Sequence, residues 1–142
     1  LVSDAGTLKR IDYSLIKGGG VSNAFHAYDM SGNASGNLVF NQELLDDGGN
    51  YNTSNGRYTA SSAGKYFFYC SAISSGSTGL ITFRINNSYL SGGDDHAGNT
   101  PNTSTQGLMI ATLDLSQGDY VNVNTGTTVY NNYNYFGGFK LY

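Results

Sequence analysis

The chain has 142 residues, seven basic against ten acidic side chains, a formal net charge of −3 and one cysteine. This length favours a single domain, and so few basic residues argue against a nucleic-acid partner. One cysteine excludes an internal disulfide, and the longest apolar run, residues 66–70, is far shorter than the roughly 20 residues of a membrane helix.

The N-terminal part differs from the rest of the chain. Overall, frequent glycine (20 residues) and tyrosine (12 residues) with a single proline favour strands joined by tight turns. The glycine triplet at 18–20 would interrupt a strand or a helix, so residues 1–22 are predicted to be a connector. The chain begins at Leu1 without a Met, which suggests a piece of a longer protein. Residues 23–142 are the predicted domain.

The first strands of this domain follow the connector. The stretch "AFHAYDM" alternates with a period of two, so Phe25 and His26 should face opposite sides of a strand. "NQELLDD" is compatible with either an extended segment or a helical turn. Asn55-Gly56 predicts a type I′ hairpin turn, which needs positive φ at both central residues.

The second half is also rich in strand patterns. "GKYFFYCSAIS" predicts a central strand that is apolar on both faces, and "GLITFRI" predicts a strand that turns at Asn86-Asn87. "LMIATLDL", "YVNVNT" and "YNYFGGFKLY" predict three more. With eight to ten short strands and no helix, the chain is predicted to be an all-β sandwich or jelly roll. The residues predicted to lie in or near the core are Phe40, Tyr66, Phe68, Ile81, Phe83, Leu113, Val121 and Phe139.

The spacing of the aromatic residues resembles a known family. The residues that match the aromatic signature of the C1q-like globular domain are Phe40, Asp46, Tyr51, Gly64, Tyr66 and Phe68. Tyr58 stands where the family usually has Phe, and Cys70 where it has Phe or Tyr. "AFHAY", "QGDYVNV" and "YFGGFKLY" resemble the family's opening strand, its Gly-Asp turn and its last strand, so the resemblance covers about residues 23–142.

The resemblance implies a jelly roll of about ten antiparallel strands, shared with tumour necrosis factor and assembled as a tight homotrimer. It implies binding activity without catalysis. The residues agree with a trimer, because "KYFFYC" has one apolar face for the core of the sandwich and another for neighbouring subunits.

Few residues carry catalytic or metal-binding chemistry. His26 and His96 lie at no zinc-ligand spacing, no Ser-His-acid arrangement is evident, and Cys70 lies within an aromatic strand as a small hydrophobe. We therefore expect no enzyme activity and no cofactor. Asp94 and Asp95 could offer oxygen ligands to calcium, as some C1q-like domains do near the trimer apex, but a solvated acidic loop is favoured.

The segment "TGTTVYNNYNYF" is the best candidate for a binding loop. Tyrosine offers a rigid amphipathic face, and asparagine offers both a donor and an acceptor, which suits polar surfaces such as sugars. The candidate ligand-binding residues are Tyr130, Asn131, Asn132, Tyr133 and Asn134. In the competing interpretation, Tyr133 and Tyr135 alternate into the core and interface faces of the last strand.

The connector resembles segments of other proteins. "LVSDAGTLKRIDYSLI" is similar to a segment of tailed-phage structural and fibre proteins that precedes a distal domain. This resemblance implies the trimeric head of a virion fibre or spike, which binds a glycan or protein of the host surface and other virion proteins through the connector. The alternatives are a secreted C1q-like recognition or adhesion protein and a capsid-decorating knob without a receptor.

Overall fold

The computed structural model describes residues 2–4, 7–9, 22–90, 98–100 and 106–142, which contain strands and no helix. No described segment is therefore a helix that could cross a membrane. In chain order the strands are β1 (Val2–Asp4), β2 (Thr7–Lys9), β3 (Ser22–Tyr28), β4 (Ala34–Asn37), β5 (Gln42–Asp46), β6 (Tyr51–Asn52), β7 (Arg57–Thr59), β8 (Gly64–Ile73), β9 (Gly79–Ile85), β10 (Ser88–Tyr89), β11 (Gly98–Thr100), β12 (Gln106–Leu115), β13 (Tyr120–Val129) and β14 (Tyr135–Lys140).

The strands form two large antiparallel sheets and one small hairpin. The five-stranded sheet has the order β12-β8-β14-β3-β5. The seven-stranded sheet has the order β10-β9-β13-β7-β6, and β11 and β4 also pair with β9 and β13. Among the described strands, β1 and β2 pair only with each other, within the predicted connector. The predicted all-β jelly roll is confirmed, and the short strands β6, β10 and β11 raise the number of strands above ten.

The core lies between the two sheets and is mainly aromatic. The ring of Phe25 stacks on Tyr58 at 4.6 Å between centroids and meets Phe136 edge-on at 4.9 Å. The hydroxyl groups of the buried tyrosines donate to backbone carbonyls at the edge of the core. The hydroxyl of Tyr51, for example, donates to the carbonyl of Phe40 over 2.9 Å. Such partners allow tyrosine to fill an apolar core, because no hydroxyl group is left without a hydrogen bond.

Strand β8 separates its aromatic residues by face, as the alternating pattern predicts. Tyr66, Phe68 and Cys70 point into the core and are fully buried, whereas Phe67 and Tyr69 point outward and are half-buried. Burial raises the pKa of the Cys70 thiol far above its usual range, so the thiolate is disfavoured.

Three sequence predictions require correction or completion. The Asn55-Gly56 turn is not type I′, because only Gly56 has positive φ and the register of β6 with β7 leaves a four-residue loop. Asn86 and Asn87 both have positive φ (53° and 64°) and form the two-residue hairpin loop between β9 and β10. "NQELLDD" contains the strand β5, so the helical alternative is wrong.

Phe139 is the one predicted core residue that the structure places elsewhere. It points to the outer side of the five-stranded sheet, where its ring lies 5.3 Å from Phe67. The reason is its register, because Phe139 pairs directly with Phe67 and paired residues share a face. The other seven predicted core residues are buried.

Two adjacent glycines let β14 cross the middle of the five-stranded sheet. A Cβ at Gly137 would collide with the ring and hydroxyl of Tyr69 on the outer side. A Cβ at Gly138 would lie 2.6 Å from the carbonyl oxygen of Phe67 and 2.6 Å from the ring of Phe68. Gly137 therefore makes room for the ring of Tyr69 on the outer side of the sheet. Gly138 makes room for the backbone oxygen of Phe67 and for the ring of Phe68 in the core.

Candidate binding site

The loop between β13 and β14, residues 130–134, is fixed by one buried asparagine. Asn134 is 2% exposed, and its Oδ1 accepts a hydrogen bond from the backbone N–H of Ile73 over 2.9 Å. Its Nδ2 donates to the carbonyl of Tyr130, which closes the loop on itself. An asparagine can make both bonds because its amide carries an acceptor and two donors. Asn134 therefore shapes the loop from inside.

A second set of contacts ties the loop to the segment after β3. The backbone N–H of Met30 donates to the carbonyl of Asn131 over 2.7 Å. The N–H of Asn131 in turn donates to the side-chain oxygen of Asn33 over 3.0 Å. These bonds join two loops at the same end of the five-stranded sheet. The loop 130–134 is therefore held in place by the segment that follows β3.

Tyr133 has the most unusual backbone of the loop. Its φ is +65°, in the left-handed region that bulky side chains rarely adopt, and its side chain is 69% exposed. Its carbonyl accepts a hydrogen bond from Nε2 of Gln106 over 3.1 Å. A conformation that costs of order 1–3 kcal/mol persists only where its surroundings enforce it, and such positions cluster at functional sites.

An open pocket of about 650 Å³ lies beside this loop, at one end of the outer side of the five-stranded sheet. Aromatic side chains and neutral amides dominate its wall. The lining residues are His26, Tyr28, Asp29, Leu44, Ile73, Gln106, Asn132, Tyr133, Asn134 and Tyr135. A smaller hollow of about 440 Å³ lies next to it, between Ile73, Tyr130, Asn132 and Tyr133. A pocket with rings and a few polar groups suits a small polar ligand that also has an apolar face.

The structure brings four of the five predicted loop residues to the surface. Tyr130, Asn132 and Tyr133 are exposed and Asn131 is partly exposed, whereas Asn134 is buried and engaged on both sides of its amide. Asn134 is thus a positioning residue and is not available to a ligand.

The predicted metal residues, Asp94 and Asp95, lie outside the described residues. Among the residues that the structure describes, no group of three His, Cys, Asp or Glu side chains could hold a metal ion.

Sequence reasoning missed the part of the pocket wall contributed by other strands. His26 and Tyr28 come from β3, Leu44 from β5 and Gln106 from the first position of β12. The alternation of β3 placed His26 and Tyr28 away from the core residue Phe25, and that signal could have identified them. Leu44 lies where the register of β5 with β3 shifts, and no local sequence pattern predicts this shift.

The outward-facing residues of the five-stranded sheet form an apolar surface, here called the outer face. Direct pairing places Ile110, Tyr69, Gly137, His26 and Leu45 in one row across the sheet. Ile110 is 60% exposed and its neighbour on the same side, Leu108, is 61% exposed. So many exposed apolar side chains on one sheet face are typical of an interaction surface.

His26 lies in the middle of the outer face. Its Nδ1 is 2.9 Å from the hydroxyl of Tyr69, and its ring stacks on Tyr135 at 5.6 Å. Burial lowers the pKa of His26 from its ordinary value of 6.5 because the charged form loses water. The imidazole is therefore neutral at pH 7.

Comparison with known proteins agrees with this architecture. The globular domain of zebrafish complement 1qA protein is 21% identical and has a TM-score of 0.69, with 85% of this chain and 98% of that chain covered. Eiger TNF from S. frugiperda is 14% identical with a TM-score of 0.62, covering 84% and 92%. Murine APRIL is 14% identical with a TM-score of 0.62, covering 83% and 98%.

These structures share the fold at low sequence identity, and no curated protein matches the chain. The family model of the C1q domain, however, matches residues 23–141, which is most of the chain and nearly all of the sandwich. The aromatic signature and the terminal strand that matched by spacing lie within this range. The chain therefore belongs to the C1q domain family.

Proposed function

We propose that this chain is a non-catalytic recognition domain that assembles as a homotrimer and binds surface glycans through the loop 130–134 and the adjoining pocket. The single observation that carries the binding role is Tyr133, whose exposed ring is held on a left-handed backbone by Gln106 and the surrounding loop. A protein gains nothing in stability from such a backbone, which supports a role for the presented ring.

The outer face supports the trimer. Leu108 and Ile110 are exposed in the single chain, and they lie beside the half-buried rings of Phe67 and Tyr69. In the proposed trimer, a closed cyclic assembly covers the part of this surface around Phe67 and Ile110 and leaves the end that carries the pocket open, without a sticky sheet edge. Membership in the C1q family supports the same arrangement.

The chemistry of the pocket supports a glycan. The rings of Tyr28 and Tyr133 could pack against the apolar face of a sugar, and the amides of Asn132 and Gln106 could pair with its hydroxyl groups. Three copies around one axis would add weak contacts by avidity.

The setting that we propose is the distal head of a virion fibre or spike, attached to other virion proteins through residues 1–22. The support is the resemblance of "LVSDAGTLKRIDYSLI" to phage fibre segments. A host glycan or protein would then be the ligand. The alternative is a secreted C1q-like recognition protein, for which the same trimer and the same loop would serve.

The test compares two substitutions at the strained position. Tyr133→Gly removes the ring but suits positive φ, so it should retain or raise the unfolding free energy by up to about 1 kcal/mol while binding to susceptible cells falls at least tenfold. Tyr133→Phe keeps the ring and loses only the hydroxyl, so it should retain most of the binding. The readouts are cell or glycan-array binding and light scattering.

Gln117→Ala is a matched control, because Gln117 is an exposed residue of the turn between β12 and β13, outside both the pocket wall and the outer face. It should leave binding and the trimer unchanged. Undiminished binding of Tyr133→Gly, with the trimer intact, would contradict the proposed site. A stable monomer of the wild-type chain at micromolar concentration would contradict the proposed assembly.

A further inference from the structure

The outward side of the seven-stranded sheet carries an unusual row of polar residues. On β13, Asn122 pairs with Arg57 of β7 on one side and with Arg84 of β9 on the other. Directly paired residues share a face, so both arginines stand on the same surface, with Cα atoms two strand spacings or about 10 Å apart. They are the only arginines among the described residues.

Each guanidinium is held in place by a tyrosine ring. The Cζ of Arg57 lies 4.2 Å from the ring centroid of Tyr120, and that of Arg84 lies 4.3 Å from the ring centroid of Tyr89. Stacking uses the flat face of a guanidinium and leaves the N–H groups at its edge free to bind. The rings thus orient two planar donor groups before any ligand arrives.

Among the described residues, no acidic side chain neutralises this pair. Within the described residues, neither arginine side chain makes an ion pair or a hydrogen bond, and the described ion pair, Lys65 with Asp114, belongs to the other sheet. Asp119 lies at the start of β13, but its carboxylate accepts from Asn86 and from the backbone of Ser116, each over 2.8 Å. Two unpaired cations on one surface are notable in a chain whose net charge is −3.

The centre of the row also lacks polar partners. Asn122 is 1% exposed and donates to the side-chain oxygen of Asn37, but its own Oδ1 has no hydrogen-bond partner within the described part of the chain. The buried Nε of Arg84 has none either. Buried polar atoms are paired in the great majority of proteins, so an unpaired donor and acceptor on neighbouring residues show that the polar groups of this row do not neutralise one another.

We propose that this row, called the arginine row and comprising Arg57, Asn122 and Arg84, binds an acidic polysaccharide through its carboxylate or sulfate oxyanions. Guanidinium groups bind such planar oxyanions with two parallel hydrogen bonds. The exposed amide of Asn37, which accepts a hydrogen bond from the buried Asn122, suits sugar hydroxyl groups, and an extended polymer could lie across both arginines. Two cations are too few for a nucleic-acid groove. This site lies on the opposite sheet from the loop 130–134 and does not depend on the function proposed there.

The experiment measures binding of the whole chain to immobilised dextran sulfate, polygalacturonate and neutral dextran at low salt. The wild-type chain is expected to bind one or both acidic polymers and not neutral dextran. Loss of a charge-assisted hydrogen bond should weaken binding about tenfold, so Arg57→Gln and Arg84→Gln should each have that effect. Binding of dextran sulfate alone would identify sulfate as the oxyanion, and binding of polygalacturonate alone would identify carboxylate.

Lys65→Gln is the matched control, because it removes the same charge from the other sheet and should leave binding unchanged. Arg57→Lys keeps the charge without the planar fork and should weaken binding several-fold. Each arginine-to-glutamine change also removes a ring contact, with Tyr120 or with Tyr89, so a thermal melt accompanies each variant. Because Arg84 has a buried Nε, Arg57→Gln decides the question if Arg84→Gln fails to fold.

The proposal is overturned if neither acidic polymer binds, or if Lys65→Gln weakens binding as much as Arg57→Gln. It is also overturned if single-stranded DNA binds more tightly than both polymers through the same two arginines, because the row would then be a nucleic-acid site. Persistence of all binding in Tyr133→Gly would separate this site from the loop 130–134.

Discussion

The two faces of the five-stranded sheet come from alternate residues of the same strands, yet they have different surroundings. On the inward face, Phe68 is fully buried among aromatic rings, with 6.3 Å between its ring centroid and that of Phe25 and 6.1 Å to that of Phe83. Outward, the adjacent Phe67 is half-buried, and Leu108 and Ile110 are mostly exposed. Both faces are apolar, so hydrophobicity alone cannot tell them apart. The inward face therefore forms the core of the sandwich, whereas the outer face remains exposed in the single chain and can contact a further surface.

Truncating one ring on each face is the strongest way to separate them. Phe68→Ala should lower the unfolding free energy by about 3–5 kcal/mol, because it leaves a cavity among packed rings. Phe67→Ala should cost roughly 1 kcal/mol in the single chain, because less of its surface leaves water on folding. Urea unfolding of both variants measures the difference.

The same pair also reports on assembly. Phe67→Ala should make the melting temperature more dependent on protein concentration, since the proposed trimer, once weakened, would dissociate before it unfolds. Equal unfolding costs for the two variants, with no dependence on concentration, would show that the faces are equivalent.

The adjacent glycines of β14 allow the two faces to be distinguished by adding a single methyl group on either side of the sheet. Gly138→Ala should cost about 1–3 kcal/mol, because its Cβ would press on the backbone oxygen of Phe67, which has no room to move. Gly137→Ala should cost less, since its Cβ meets only the end of the Tyr69 side chain, which can rotate outward. Thermal unfolding and light scattering together distinguish a weakened fold from an altered outer face. Similar melting temperatures for both variants would be inconsistent with this assignment.

A pH titration should give the smallest effect, because it concerns a single group of the outer face. The pKa of His26 is lowered in the folded chain, whereas in the unfolded chain it keeps its ordinary value of 6.5. Below pH 6.5 the unfolded chain therefore binds more protons than the folded chain does. Stability is therefore complete above pH 6.5 and decreases as the pH falls from 6.5 toward the lower folded pKa. His26→Gln should flatten this part of the profile, measured by urea unfolding between pH 7.5 and 5. A profile that the variant leaves unchanged would assign the dependence to another group.

The sequence predicted the core better than it predicted the surface. Phe40, Tyr66 and Phe68 could be placed because strand alternation and family spacing agree, and both depend on residues close in the chain. Phe139 could not, since its face depends on how β14 pairs with β8. A dipeptide preference predicts a type I′ turn at Asn55-Gly56, but the register of β6 with β7 leaves a four-residue loop there. The predicted turn at Asn86-Asn87 is the two-residue loop in which both residues have positive φ.

The candidate site was predicted only as a loop. Its composition pointed to residues 130–134, but the left-handed backbone of Tyr133 is enforced by contacts with distant groups, including Gln106. Asn134 is indistinguishable by type from Asn131 and Asn132, and only the position of the Ile73 N–H makes it internal. The arginine row has no sequence signature, since its members are separated by 27 and 38 positions and meet only through strand pairing.

The pairing of the last strand with the first strand of the sandwich has a consequence for engineering. Lys140 pairs with Ser22, and the backbone groups of Leu141 and Tyr142 bond to Lys65, so the entry and exit of the sandwich are neighbours at one end of the sheet. A short peptide could join them, and the ring so formed could be opened in the exposed Asn86-Asn87 turn. Such a circular permutant of the sandwich would keep every described strand pair of the two large sheets except that of β9 with β10. It would carry new termini on the opposite sheet, from which cargo could be attached away from the loop 130–134.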